Sequence, residues 1–442
     1  MHIHHVNLDA RDDAAARTGS RAYAWIVFAL TFGLLLSDYM SRQVLNAVFP
    51  LLKATWGLSD TQLGSLSGVV ALMVGVLTVP LSVLADRWGR VKSIVVMAAL
   101  WSAATLGCAV ASNYGEMLVA RALVGVGEAA YGSVGIALIL SIFPSHLRST
   151  LTGAFMAGGA FGSVFGMALG GVVAVHLGWR WSFGAMACFG ILLVFAYMLI
   201  VTEKRVACRR NDIAGSARAN KSTRTSFRAT LRGLFSTVSV VCAYIGSALQ
   251  LFIMASVLAW MPSFLNRYYG MPADKAAVTA AGFLLLGGIG MIVCGIVTDR
   301  VSKSKPERKW MTAIAYCVIS LVLLGIGFQL QPGTLQFVLL GAGIFVVAGT
   351  SGPAGAMVAN LTPPSIHAPA FATLTLVNNL LGMAPGPLVT GYIADRIGLP
   401  GALQLVPVAA ALATVMFTIG KRNYGRGLQR VDTSRAAAIA TE

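Results

Sequence analysis

Four ionisable residues interrupt long apolar stretches of the sequence, namely Asp38, Arg42, Arg121 and Glu128. An ionisable side chain at the centre of a bilayer costs at least about 2.5–3.5 kcal/mol, and such residues commonly mark ion or substrate pathways. Asp38 and Arg42 are four residues apart, so on a helix they share one face and can form an ion pair. Arg121 and Glu128 also share a face, but about two helical turns separate them, so each is expected to face another helix.

These residue types suit proton-coupled chemistry. A carboxylate in a low-dielectric site is easier to protonate, so Glu128 is expected to load and release a proton, with Asp38 as a second proton-coupling group. Arg42 and Arg121 would then compete with the proton for the carboxylate, or hold the anionic group of a substrate. The alternative is that the four charges only pair with one another and lock the helices together.

Further polar and aromatic residues lie in apolar stretches of the second half. The candidates for contact with a substrate there are Tyr244, Gln250, Trp260, Asn378 and Asn379. Hydrogen bonds between helices are the alternative for the polar members of this set. Asn378 and Asn379 point in different directions on a helix, so at most one of them is expected to face a cavity.

The elements that position these residues are apolar helices. Of the 442 residues, 57% are hydrophobic and 11% are charged, which leaves too few charges to coat a soluble enzyme. About 20 apolar residues are needed to cross a bilayer as a helix. Runs of this kind are too long and too uniformly apolar for a membrane barrel. The twelve predicted spans are roughly 22–50, 60–84, 93–112, 115–143, 148–175, 181–202, 234–264, 276–298, 310–330, 334–361, 368–393 and 400–420.

The net charge of +17 has a topological explanation. Residues 1–21 do not resemble a signal peptide, so we expect both termini to be cytoplasmic. On that topology 26 of the 33 lysines and arginines flank the cytoplasmic side, as the positive-inside rule requires. This favours an integral protein of the cell (inner) membrane over a nucleic-acid binder. The predicted parts are an N-tail (1–21), a six-helix bundle (22–202), a basic linker (203–233), a second six-helix bundle (234–420) and a C-tail (421–442).

The two halves repeat each other. Leu84–Arg87 follows the second span as Val297–Arg300 follows the eighth, and Gly171–Gly178 ends the fifth span as Gly391–Gly398 ends the eleventh. Parallel six-span repeats are typical of one class of secondary transporters, in which the substrate binds at the midplane between the halves. The sequence therefore predicts an all-α membrane protein with two pseudo-symmetric bundles.

Several segments resemble the major facilitator superfamily. Ser82–Lys92 is similar to the family's loop 2–3 signature, with Ser82 where glycine is usual, and Arg121–Glu128 and Val377–Gly382 are similar to its spinster-like branch. The resemblance implies a proton-linked carrier that works by alternating access; animal members of that branch move lysophospholipids or sphingosine phosphate. The acid that usually precedes the arginine of the first span is replaced by Ser41, so either Asp38 takes its role or coupling depends on Glu128 alone.

Charged residues at the ends of the second and eighth spans are expected to act as gates, namely Asp86, Arg87, Arg90, Asp299 and Arg300. Asp86 is expected to accept hydrogen bonds from a neighbouring helix N-terminus, where the helix dipole favours an anion. Glycines recur at every fourth position of the fifth span, from Gly158 to Gly170, and are interpreted as sites of close helix packing.

The predicted function is proton-coupled transport of a small organic, anionic or amphipathic solute by a functional monomer in a lipid bilayer. A proton-driven multidrug or lipid exporter of the same fold is the alternative. The sequence contains no P-loop motif, metal-ligand cluster or nucleophile–base pattern, so neither a cofactor, a metal nor an enzymatic activity is expected. The six cysteines are scattered and are interpreted as packing residues.

Overall fold

The computed structural model describes residues 6–207, 234–235, 237–305, 307–363 and 366–429, and within these ranges it contains helices and turns but no strand. The helices of the first half are α1 (Val6–Trp56), α2 (Asp60–Trp88), α3 (Arg90–Val110), α4 (Tyr114–Glu128), α5 (Tyr131–Ile142), α6 (Arg148–Leu177) and α7 (Trp179–Ile200). Those of the second half are α8 (Val238–Tyr268), α9 (Ala273–Ser302), α10 (Arg308–Gly327), α11 (Thr334–Val347), α12 (Ser351–Asn360), α13 (His367–Val377), α14 (Pro385–Leu405) and α15 (Val408–Arg422).

Ten segments of the described chain are helical, long and apolar enough to cross a membrane; among them α4 and α5 together form one, and α11 and α12 together form another. After these, Pro369–Leu405 and Val408–Arg422 qualify as a pair bent by 43°. Helix α14 is broken at Gly398, whose φ of 81° and ψ of 157° are not helical. Gly178 has nearly the same conformation where α6 ends and α7 begins. Division at Gly398 gives two sets of six spans, so the predicted all-α membrane fold is confirmed.

The predicted tails are partly helical and partly beyond the described residues. Helix α1 begins at Val6, and the part of it that is long and apolar enough to cross a membrane begins at Ala22, in agreement with the predicted first span. Most of the predicted linker, residues 208–233, lies outside the described residues, and so does the predicted C-tail beyond residue 429.

The two halves are joined at one face of the molecule and separate towards the other. A single buried apolar cluster contains Phe49 of α1 together with Trp260 of α8 and Ala277 of α9, so it spans both halves. At the opposite end each half has its own cluster, one around Ile94 and one around Phe417. We call the joined end the closed face, and the other end, where α1 begins and α15 ends, the open face.

Glycines allow the close helix contacts of this arrangement. A Cβ on Gly162 or Gly166 of α6 would collide with the backbone of α1 at Leu36 or Met40. Across the halves, a Cβ on Gly64 of α2 would collide with the carbonyl oxygen of Pro387 in α14. The packing interpretation of the α6 glycines agrees with these contacts.

Candidate functional site

Asp38, Arg42 and Glu128 form one cluster between α1 and the end of α4. Arg42 Nε lies 2.6 Å from Glu128 Oε2 and 3.4 Å from Asp38 Oδ1. Both acids are buried, whereas 18% of the Arg42 side chain is exposed. One guanidinium therefore neutralises part of the charge of two carboxylates and still presents a surface to solvent. This arrangement agrees with the pair expected at Asp38 and Arg42, and it adds Glu128 from another helix.

A break in the helical backbone fixes the position of Glu128. Helix α4 ends at this residue and α5 begins at Tyr131. The carbonyl oxygen of Ala129, at the break, accepts a hydrogen bond of 2.8 Å from the Thr78 hydroxyl of α2. Because the break is satisfied by a side chain of a neighbouring helix, Glu128 is held where α1, α2 and α4 converge.

Arg121 is fully buried and binds backbone rather than a carboxylate. Its guanidinium donates to the carbonyl oxygens of Ser41 (2.9 Å), Leu66 (3.4 Å) and Arg42 (3.5 Å). These bonds tie α4 to α1 and α2. As expected, Arg121 and Glu128 do not pair directly within the part of the chain that the structure describes.

A central cavity of about 110 Å³ lies between the halves and includes the exposed part of Arg42. Its polar wall belongs to α1, α2 and α4, and its opposite wall, from α8, α14 and the π-helical segment Asn378–Met383 that links α13 to α14, is apolar apart from backbone groups. The residues that line it are Arg42, Gln43, Asn46, Ser67, Val70, Ala71, Arg121, Leu251, Met254, Ala255, Leu258, Ala259, Met383 and Pro387. The expected contrast between a charged first half and an apolar second half agrees with this lining.

Three polar residues of the cavity wall, Gln43, Asn46 and Ser67, were not predicted from the sequence. Asn46 donates to Gln43 Oε1 at 2.8 Å and accepts from the Ser67 hydroxyl at 3.2 Å. Gln43 and Asn46 follow Arg42 at positions one and four residues later, so helical spacing from Arg42 is a signal that identifies Asn46. Together they form a neutral hydrogen-bonding surface beside the guanidinium.

The second-half residues that were expected to contact a substrate are not among those that line the cavity. Tyr244 is buried in the apolar cluster near the open face, and Gln250 donates to the sulphur of Cys317. Trp260 donates to the carbonyl oxygen of Pro387, within the closed face. Of the two asparagines, Asn379 is the more deeply buried; it bonds to the Thr375 carbonyl oxygen and packs against Gly75.

The residues expected to form gates lie at the open face. Asp86, Arg87, Asp299 and Arg300 are exposed there, and Arg90 donates to the Ala137 carbonyl oxygen.

The hydrogen bond expected of Asp86 is made by another residue. The backbone N–H of Val91, in the first turn of α3, donates to Glu203 Oε2 at 3.1 Å. Because Glu203 follows α7 and reaches back over the turn between α2 and α3, sequence proximity alone pointed to the wrong acid.

Comparisons with known proteins agree with this fold. The sequence model of the Major Facilitator Superfamily matches residues 31–380. The chain is 27% identical to a gallate transporter of Pseudomonas putida over 89% of this chain and 91% of that one. It is 24% identical to protein spinster homolog 1 of Xenopus laevis over 84% of this chain and 73% of that one.

A solved structure has the same fold. It is that of a bacterial homolog of the human lysosomal transporter spinster, in an inward-facing and unoccupied conformation. The two structures superpose with a TM-score of 0.80 at 18% sequence identity, and the match covers 92% of this chain and 98% of that chain.

Proposed function

The chain belongs to the Major Facilitator Superfamily, as its motifs indicated, and we propose that it carries a small organic anion across the inner membrane, coupled to protons, by alternating access. Its many apolar helices make it an integral membrane protein. The excess of basic residues in the predicted inside loops supports cytoplasmic termini and, with them, an open face on the cytoplasmic side. The observation that carries the proposal is the position of Arg42 between two acids at the edge of a cavity between the halves.

The electrostatics of this cluster supply the coupling. With Glu128 ionised, Arg42 is paired with two carboxylates, at 2.6 Å and 3.4 Å, and has little capacity for a third anion. A proton on Glu128 removes that charge, so Arg42 becomes available to a substrate carboxylate. An anion on Arg42 likewise weakens the hold of Arg42 on Glu128, which favours the protonated acid. Proton and anion thus promote each other's binding, and linkage requires this effect to be reciprocal.

The second acid, Asp38, keeps Arg42 in an ion pair throughout the proposed cycle. When Glu128 is protonated and the anion has left, Asp38 remains 3.4 Å from Arg42. An unpaired charge in a buried site is costly, so this residual pair lowers the cost of moving the proton before or after the substrate. Of the two alternatives left open by Ser41, this supports coupling that depends on Glu128, with Asp38 as the residual partner of Arg42.

The substrate class follows from the cavity and is supported by one relative. Arg42 suits a carboxylate, and Gln43, Asn46 and Ser67 suit hydroxyl groups beside it. The opposite wall of Leu251, Met254 and Leu258 suits a compact apolar or aromatic body. Gallate, the substrate in the name of the Pseudomonas putida relative, combines these features. We therefore propose a small hydroxylated organic acid.

The alternative is a proton-driven exporter of lipids or multiple drugs, for which the spinster likeness is the motive. Both are tested by reconstituting the purified protein in liposomes with an imposed pH gradient. The panel contains radiolabelled gallate, benzoate, glucuronate, a lysophospholipid and a cationic dye. Saturable uptake of an organic acid that a protonophore abolishes supports the proposal. Transport of the dye or the lysophospholipid alone supports the exporter, and transport indifferent to the pH gradient contradicts coupling.

A further inference from the structure

A second charged cluster lies at the closed face, at the first turn of α2. Asp60 is 3% exposed and receives three contacts from two cations. Arg267 of α8 donates Nη1 to Oδ2 at 2.8 Å and Nη2 to Oδ1 at 2.9 Å. Lys53 of α1 lies 2.6 Å from Oδ1. The bidentate arginine comes from the second half of the molecule and the lysine from the first.

Asp395 of α14 makes a second contact between the halves at the same turn. Its carboxylate accepts hydrogen bonds from the backbone N–H of Asp60 (2.7 Å), the backbone N–H of Thr61 (2.9 Å) and the Thr61 hydroxyl (2.6 Å). The first N–H groups of a helix lack partners within the helix and sit at the positive end of its dipole. The two contacts have opposite polarity. The anionic Asp395 binds the positive N-terminus of α2, whereas the cationic Arg267 binds the carboxylate of Asp60.

The contacts of Arg267 and Asp395 cross the interface between the two halves, whereas those of Lys53 and Ser59 lie within the first half. If the halves separate at this face, Asp60 keeps Lys53, because both belong to the first half. The start of α2 likewise keeps its own cap: Ser59 accepts from the Gln62 N–H, and the Gln62 side chain accepts from the Ser59 N–H. The first half is thus equipped to lose Arg267 and Asp395 without leaving a buried charge or the helix end without partners.

We propose that the first turn of α2 is a reversible latch that holds this face closed, with Arg267 and Asp395 as the released partners and Lys53 and Ser59 as the retained ones. The close approach of Gly391 to the Asp60 carbonyl oxygen brings α14 against the same turn, so a separation of the halves must break both contacts together. The latch rests on the proposed alternating-access transport, since it has a purpose only if this face opens.

The test reads the opening of the closed face directly. Spin labels are placed at Ala54 of α1 and Lys275 of α9, which are exposed and belong to different halves. The background has all six cysteines replaced by alanine. Double electron–electron resonance then gives the ratio of long to short distances in Arg267→Met, in Asp395→Asn and in the milder Arg267→Lys. The control is Arg396→Met, because Arg396 contacts Tyr392 within its own half.

Arg267→Met and Asp395→Asn are each expected to raise the long-to-short ratio by about tenfold, in keeping with the coupling of close ion pairs at interfaces. Arg396→Met is expected to leave the ratio unchanged. Lys53→Met is expected not to raise it, because without Lys53 the buried Asp60 would have no cation once the face opens. No increase in either latch variant, or an equal increase in Lys53→Met, would overturn the latch. Transport assays of the same variants distinguish failure of the latch from failure of the proposed function. If the distances change as expected but the protein transports no organic acid, the proposed substrate is refuted and the latch is not.

Discussion

Replacing Glu128 by glutamine isolates the charge on which the proposed coupling depends. The side chain keeps its shape but loses the carboxylate that lies 2.6 Å from Arg42 Nε. With an effective dielectric constant of about 20, unit charges at that distance attract by about 6 kcal/mol, and at the 3.4 Å of Asp38 by about 5 kcal/mol. Arg42 therefore keeps a partner of similar strength, so the variant is expected to fold and to resemble the protonated carrier.

The consequence is transport without a proton requirement. In the unaltered protein, one proton moved with each monovalent anion allows an accumulation of about tenfold for each unit of pH gradient, since one pH unit is worth about 1.4 kcal/mol. In Glu128→Gln no proton is bound or released at this position, so a pH gradient is expected to give no accumulation. Exchange of labelled for unlabelled substrate across the membrane needs only the movement of the loaded carrier and is expected to persist.

The assay compares the two activities in the same liposomes. Accumulation is measured after a pH jump, and exchange is measured with equal pH and excess unlabelled substrate on the opposite side. Glu116→Gln is the matched control, because Glu116 lies at the exposed start of the same helix, where its carboxylate accepts a hydrogen bond from the Ser112 N–H. Accumulation in Glu128→Gln equal to that of the control would refute the coupling role of Glu128, while loss of exchange together with accumulation would assign Glu128 to substrate binding or folding.

Three further changes test the cavity and the helix packing. Arg42→Lys keeps the positive charge but loses the planar fork, so the KM for an organic acid is expected to rise by about tenfold or more while the protein remains folded. Asn46→Leu removes the hydrogen bonds beside Arg42 and is expected to raise the KM of a hydroxylated acid by about tenfold and that of benzoate much less, as measured by competitive uptake. Gly166→Ala places a methyl group against the α1 backbone and is expected to destabilise the fold by about 1–3 kcal/mol in thermal unfolding in detergent, whereas Gly153→Ala, which has open space, is expected not to.

Much of the architecture could be predicted because membrane spans are encoded locally. The number of spans, their grouping in two repeats and the charged first half all follow from hydropathy, spacing and the positions of a few ionisable residues. The pairing of Asp38 with Arg42 followed from helical spacing alone. The Gly178 and Gly398 breaks were also visible as repeated motifs, because both residues end matching segments.

Contacts between helices could not be predicted in the same way, because they depend on the rotation of each helix about its axis. Trp260 and Gln250 were expected to face the cavity, yet both point to neighbouring helices. Glu203 replaces Asp86 at the start of α3 through a contact of residues 112 positions apart. Asp60 and Asp395, separated by 335 positions, meet for the same reason. A single sequence carries no direct signal for such pairs.

The two charged clusters are built alike, each with one near partner and one distant partner for a central charged residue. Arg42 has one acid on its own helix and one on another, and Asp60 has one cation in its own half and one in the other. On the two proposals, the partner on the same helix or in the same half stays when the distant one is lost. Removing one member of a buried pair costs far more than exchanging it for another, so a retained partner lowers the barrier to each step. A carrier that breaks these contacts in every cycle therefore depends on the retained partners Asp38 and Lys53 as well as on Glu128 and Arg267.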